Sequence, residues 1–318
     1  MRIVIALGGN ALLRRGERPD ATIQAAHLAA AAPQLMRIAE QHEVVFVHGN
    51  GPQVGLLARE SADDPSLAAP YPLGLLSAAT QGMIGVLLQQ ALRDAGLRRP
   101  TATLITRTVI ADEDRDGAAV KFIGAVYDRR RAHELAAAHA WRIAQDGEGW
   151  RRVVPSPRPR RVVELEIGRL LVDAGTTVIM GGGGGVPVAE LPGGLTIVDA
   201  VIDKDRTAAL IARALGADLL AILTDVPGVI SDFGTEDAAV LSVLTPALAR
   251  TLDLPEGSMG AKVDAACDFA ETTGRPAVIG PLEHAEDVVS GILGTRIAVT
   301  GDQDRDFRPA PSGDHTIG

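Results

Sequence analysis

Only three lysines stand among the 31 basic residues of this chain, Lys121, Lys204 and Lys262, and the other 28 are arginines. A coding preference for arginine accounts for the skew wherever either residue serves. The positions that keep lysine are then candidates for places where arginine will not do. A guanidinium is a broad planar fork, whereas an ammonium is a compact point charge on a flexible stem. A phosphoryl group in flight is one target that favours the compact charge. Two of the three lysines also open predicted helices, in Asp203-Lys204-Asp205 and in Gly257-Ser258-Met259-Gly260-Ala261-Lys262. Acids at a helix start ordinarily complement the helix dipole, and that reading suffices for Asp203. A lysine between two acids is not explained by helix stability. The flanking carboxylates can orient the ammonium or hold a metal, and a helix N-terminus beside an ammonium is a phosphate site.

Three glycine-rich turns directly follow predicted buried strands: Gly8-Gly9-Asn10, Gly49-Asn50-Gly51 and Gly181–Gly185. In an open α/β sheet, ligands bind outside the carboxyl ends of the strands. Glycine there lets backbone N–H groups approach an anion with no Cβ in the way. One such turn means little, but three at one sheet edge favour a polyanion site. The chain has no Gly-x-x-x-x-Gly-Lys-Ser/Thr loop, and no Gly-x-Gly-x-x-Gly opens a helix. No Ser-His-Asp arrangement or His-x-x-x-His pair competes; of the scattered histidines only His48 falls in a candidate site, and a structural role fits it better. Phosphoryl transfer needs positioning and neutralisation of spread negative charge, with little covalent work for the protein. Each well-placed lysine supplies about 4 kcal/mol of attraction at ~4 Å and an effective dielectric of ~20, before desolvation.

The elements that must position these groups alternate. Strands are predicted at Arg2–Leu7, Val44–Val47, Ala102–Ile110, Thr176–Met180, Leu219–Leu223 and Ala277–Ile279, and helices at 22–40, 73–95, 162–173, 204–215, 261–272 and 283–293. Strands alternating with helices mark a mostly parallel sheet covered on both faces. Residues 111–160 break the rhythm with polar turn material, Arg129-Arg130-Arg131 and Pro155-Ser156-Pro157-Arg158-Pro159, which reads as an inserted lid. With aromatics at 3%, the core must be built from Ala, Val, Leu and Ile.

A net charge of −9 argues against nucleic acid and anionic membrane surfaces as partners. The apolar stretches are interrupted too often to span a bilayer, and no apolar leader is expected, so the chain reads as cytoplasmic. The single Cys267 excludes an intrachain disulfide and reads as a buried helical thiol.

Beyond these local readings, the chain resembles carbamate kinases of the amino-acid kinase superfamily. The resemblance rests on Ala6-Leu7-Gly8-Gly9-Asn10-Ala11-Leu12, His48-Gly49-Asn50-Gly51-Pro52-Gln53-Val54-Gly55, Gln81-Gly82-Met83-Ile84-Gly85 and Arg151-Arg152-Val153-Val154-Pro155-Ser156-Pro157. The runs Gly182–Pro187, Asp203-Lys204-Asp205, Leu223-Thr224-Asp225-Val226 and Gly257-Ser258-Met259-Gly260 follow in family order. It implies a three-layer α/β/α sandwich around a mainly parallel eight-stranded sheet, in a homodimer. It also implies reversible phosphoryl transfer between carbamoyl phosphate and ADP, with ATP/ADP and Mg²⁺ as cofactors. Residues 1–216, with the lid at about 111–160, would form the carbamate lobe, 217–301 the nucleotide lobe and 302–318 a flexible tail. By motif, Gly8, Gly9, Asn10, Gly49, Asn50 and Gly51 would cradle the acyl phosphate end. Lys204 and Lys262 would neutralise the phosphoryl group, Asp205 would fix the lysines, and Lys121 would reach the substrate from the lid. Gly182, Gly183, Thr224, Asp225, Val229, Met259, Gly260 and Lys262 would surround the nucleotide. The departures cluster in the lid, where the family's Pro-Thr-Lys-Pro-Ile-Gly reads Ala119-Val120-Lys121-Phe122-Ile123-Gly124. Losing both prolines removes backbone restraint and Phe122 adds apolar bulk. A kinase of the same fold with another small acceptor, and a non-catalytic binding protein, are the alternatives; retention of Lys121, Lys204, Asp205 and Lys262 together counts against the second.

Overall fold

The computed structural model describes residues 1–9, 12–13, 17–114, 117–235, 237–252, 254 and 259–299. Asn10, Gly257, Ser258 and the tail 302–318 lie outside them.

Strand Arg2–Leu7 is apolar after its arginine because both of its faces are covered. Val4 and Ala6 share one core with Val45, Val47, Leu220 and Ile222, under helices Leu165–Asp173, Lys204–Leu215 and Met259–Thr273. Ile3, Ile5 and Leu7 face a second core, under helices Ala21–Gln41, Leu73–Asp94 and Ala285–Val289. Alternation along each strand therefore builds three layers, helices on both sides of one sheet. The sheet has eight strands, in the order Val243–Leu244, Thr295–Ile297, Ala277–Pro281, Leu219–Thr224, Arg2–Leu7, Glu43–His48, Thr177–Ile179 and Thr101–Thr103. Every pairing is parallel except that of Ala277–Pro281 with Thr295–Ile297. The four central strands therefore end at the same edge, and the turns that follow them are neighbours in space.

Several elements differ from the sequence reading. The expected strand Ala102–Ile110 is two strands. Leu104 N–H still bonds Ile179 O at 2.8 Å, but Thr106 N–H turns to Gln81 Oε1 at 2.9 Å, and the chain peels away. Arg107–Ile110 then joins a second sheet with Gly194–Ile197, Val186–Leu191 and Pro159–Val162. A helix, Gly51–Asp63, stands where only a turn was expected, with Pro52 in the first turn that tolerates it. The helix expected from 162 begins at Leu165, and the one expected over 283–293 is a short turn followed by Ala285–Val289. Contrary to the sequence reading, Leu73–Asp94 has the length and mean hydropathy (1.2) to cross a bilayer. Here Ile84, Leu88 and Leu92 are in the core, and its buried Asn50-facing and Thr106-facing polar groups, Thr80 and Gln81, bond within the fold.

Residues 119–155 form a three-stranded antiparallel sheet, Ala119–Tyr127, Gly149–Pro155 and Arg142–Asp146, with helix Arg129–His139 beside it. This unit rests on helix Gly51–Asp63, where the backbones of Gly55 and Gly124 meet. A Cβ on Gly55 would lie 3.2 Å from Gly124 Cα.

Candidate active site

Helix Lys204–Leu215 starts where it does because Asp203 caps it, its Oδ1 accepting from Asp205 N–H at 2.9 Å and Arg206 N–H at 3.3 Å. The helix packs on Met259–Thr273 through small residues, Ala208, Ala209 and Ala212 facing the core region of Ala265, Ala266 and Ala270. Close approach of two alanine-lined helices brings their N-terminal lysines together. Asp205, almost fully buried, accepts from Lys204 Nζ at 2.5 Å on Oδ1 and from Lys262 Nζ at 3.0 Å on Oδ2. Burial by itself pushes the Asp205 carboxyl upward, but the two ammoniums together outweigh it and hold the carboxyl at about 2. Burial is likewise the largest influence on Lys204 and lowers it, against the raising effect of Asp205, while Lys262 adds to the lowering. Two ammoniums on one carboxylate leave the triad with net positive charge.

The triad borders a cavity of about 630 Å³. Its charged lining comprises Arg59, Lys121, Arg151, Asp203, Lys204, Asp205 and Lys262. Cations outnumber anions there on a chain whose net charge is −9, so the cavity is electropositive against the overall charge and its chemistry suits anions. Lys121 reaches it from the lid and donates to Asp203 Oδ2 at 3.3 Å. Gly9, Gly49, Asn50, Gly51 and Gly183 line it as well. A Cβ on Gly49 would sit 3.4 Å from Gly9 Cα and 3.5 Å from Lys204 Cδ, so the first two glycine turns and the lysine stem meet.

Other candidate residues are placed differently. Gly8 gives its N–H to Leu223 O at 2.8 Å and packs on Thr224, so it joins two strand ends and does not line the cavity. The glycine run serves packing more than anion contact. Gly181 N–H is donated to Thr106 Oγ1, and those of Gly184 and Gly185 are donated to Gly181 O and Gly182 O. Gly182 lies against His48, and Gly183 (φ +62°) lies under Asn50, whose Nδ2 a Cβ would approach to 2.2 Å. Asn50 Nδ2 in turn donates to Thr80 Oγ1 at 2.9 Å. Thr224 ends its strand beside Gly8 and Asp225 follows it, while Met259 and Gly260 start the helix of Lys262; none of the four is in the cavity wall. Val229 is fully buried in the core, with its N–H donated to Thr295 Oγ1 at 2.8 Å. Asn10 lies outside the described residues.

His48 is buried and neutral: burial brings it to about 4, opposed by its Nδ1 contact with Gly49 O at 2.9 Å and aided by Lys204. The sequence reading missed Arg59, Arg151 and the first turn of helix Gly51–Asp63 as cavity wall. Arg151 stood in a quoted motif but carried no local signal for a site. The helix start could have been read from Asn50-Gly51-Pro52, an acceptable cap followed by an early proline.

Comparison with known proteins gives a consistent answer. The amino acid kinase family matches residues 1–281. Carbamate kinase from Haemophilus influenzae is 45% identical over 300 residues, covering 93% of this chain and 96% of that protein. Carbamate kinase from Escherichia coli K12 is 42% identical over 298 residues, covering 93% and 99%. Among solved structures, carbamate kinase from Giardia lamblia bound to AMP-PNP superposes with a TM-score of 0.87 at 35% identity, over 93% of this chain and 98% of that one.

Proposed function

The chain belongs to the carbamate kinase branch of the amino acid kinase family, and on that premise we propose that it moves a phosphoryl group reversibly between carbamoyl phosphate and ADP, forming carbamate and ATP. The observation that carries this reading is the Lys204–Asp205–Lys262 triad beside Gly9 and Gly49, facing the same cavity as Lys121. An ammonium has three donors. Lys204 and Lys262 each commit one to Asp205, which leaves donors on both for the oxygens of the phosphoryl group. Those oxygens carry the spread charge of the transition state, and fixed cations in a partly dehydrated site stabilise it without reorganising. Asp205 keeps the two like charges close and aimed.

On this reading Gly9, Gly49, Asn50 and Gly51, with Asn10, hold the carbamoyl end in the 1–216 lobe. The first turn of helix Gly51–Asp63 adds the positive end of a helix dipole there. The nucleotide lies on the 217–301 lobe, between Thr224-Asp225 and the Met259-Gly260 helix start, with Gly182 and Gly183 behind the phosphates and Val229 supporting from the core. Mg²⁺ fits as a nucleotide-borne ion: among the described residues no cluster of three acidic, His or Cys side chains forms a cage, and Asp203 and Asp205 are engaged by lysines. Such an ion takes most of its ligands from phosphates and water and supplies further neutralisation of phosphate charge. The exposed apolar face Leu75, Met83 and Val86 of helix Leu73–Asp94 supports a homodimer.

Phe122 favours one second reading, a retuned acceptor, because it lines the cavity next to Lys121. The test is ATP formation from carbamoyl phosphate and Mg-ADP by the purified protein, with Lys204→Ala as control. ATP that depends on Lys204 supports carbamate kinase. Protein that binds Mg-ADP but makes no ATP refutes the acceptor while leaving the nucleotide site standing.

A further inference from the structure

The lid touches the body at a second place besides helix Gly51–Asp63. Residues 199–203 form a short segment that runs directly into the helix bearing Lys204 and Asp205. Three lid groups hold it. Arg152 pairs with Asp199, Pro155 O accepts from Val201 N–H at 3.0 Å, and Lys121 Nζ donates to Asp203 Oδ2 at 3.3 Å. Asp203 therefore works with two oxygens in two directions. Oδ1 caps the helix that starts the triad, through Asp205 N–H and Arg206 N–H, and Oδ2 holds the lid lysine. The contact is partly shielded, Asp203 being 18% and Lys121 35% exposed.

From this double engagement we infer that Asp203 is a positioning residue for Lys121, tying the lid's ammonium to the helix start that presents Lys204 and Asp205. The inference rests on the phosphoryl-transfer reading given above. A lysine side chain on a lid strand has many rotamers open to it. A carboxylate fixed by its own cap bonds restricts those rotamers to ones that point into the cavity. Lid position and triad orientation then share one residue, so substrate that draws on Lys121 acts on the part of the fold that presents Lys204.

Asparagine is as good a helix cap as aspartate, so Asp203→Asn keeps the cap and removes the charge that holds Lys121, along with its smaller support of Lys204. Expected is a thermal midpoint close to wild type, with kcat/KM for carbamoyl phosphate down about two- to fivefold, the upper part of the range for one partly exposed ion pair. KM for Mg-ADP should stay within about twofold of wild type. In a Lys121→Gln background the same change should add almost nothing, because coupled residues are not additive. Asp203→Ala, which also loses the cap, should lower the thermal midpoint as well. Wild-type kinetics in Asp203→Asn, or an equal loss in both backgrounds, overturns the inference and leaves Asp203 a helix cap only. If the wild-type protein makes no ATP from carbamoyl phosphate, the functional reading has failed, and the tie is read by amide hydrogen exchange instead. Exchange over 119–127 should then be faster in Asp203→Asn than in wild type, and unchanged exchange overturns the inference independently of activity.

Discussion

Asp205→Asn tests the centre of the mechanism. In the wild type the carboxyl sits at about 2 against an ordinary 3.8, a depression that corresponds to about 2 kcal/mol of native stability. Because the folded value is the lower one, that contribution is complete above pH 3.8 and is lost as pH falls through about 2. The amide keeps the shape but not the charge. Its oxygen can still accept from one lysine, while its NH₂ faces the other ammonium, donor against donor. Burial, already the largest influence lowering Lys204, is then opposed by no carboxylate from Asp205. Breaking a buried pair from one side costs about 3–5 kcal/mol. At roughly 2–4 °C per kcal/mol, the scale for chains of about 150–250 residues, the thermal midpoint should fall by roughly 6–20 °C. Loss of aimed transition-state donors should lower kcat about 10²- to 10³-fold. The alkaline limb of the rate profile should move to lower pH, since Lys204, already lowered by burial, loses the carboxylate that opposed that lowering. Calorimetry at pH 7 and coupled ATP assays from pH 6 to 10 read both effects. A variant with kcat within threefold of wild type and an unmoved alkaline limb would refute the reasoning, because the carboxylate would not be what keeps Lys204 charged and both lysines aimed.

Four further outcomes are expected. Lys262→Arg keeps the charge but replaces a compact ammonium, 3.0 Å from Asp205, with a planar fork; coupled assays should show kcat down at least about 100-fold, and near-normal turnover would remove the argument for lysine at this position. Gly183→Ala forces a Cβ to 2.2 Å from Asn50 Nδ2 at a φ of +62°; it should cost about 1–3 kcal/mol in denaturant melts and raise KM for carbamoyl phosphate by displacing Asn50. Cys267 is buried and its thiol is pushed up to about 11, chiefly by burial, so a disulfide reagent at pH 8 should label it only after denaturation, and rapid labelling of native protein would contradict this packing. Val86→Lys, on the exposed apolar face of helix Leu73–Asp94, should convert the proposed homodimer into a monomer in sedimentation velocity; a dimer unchanged by it would place the interface elsewhere, and a monomeric wild type would refute the homodimer.

Much of this protein follows from local signals. Strands such as Arg2–Leu7 were legible because a run apolar at both parities means burial on both faces, and Asp203-Lys204-Asp205 was legible because a capped helix start is written within a few residues. The three lysines proposed for the site stood out because lysine is so rare here. What local signals cannot carry is distance through the fold. Lys262 meets Asp205 across 57 residues only because alanine surfaces on two helices pack closely enough to align their N-termini. The strand expected over 102–110 breaks because Gln81, brought in by another helix, takes the N–H that would have continued it. The glycine run looked like an anion cradle, yet most of it is small because His48, Asn50, Ile202 and Thr108 press against it. The sequence by itself therefore determined the layers, the sheet edge and the reactive residue types, through periodicity, capping and composition. Tertiary structure alone decided which of those residues share a cavity and that Asp203 faces the lid, because such contacts depend on the packing of side chains far apart in the chain.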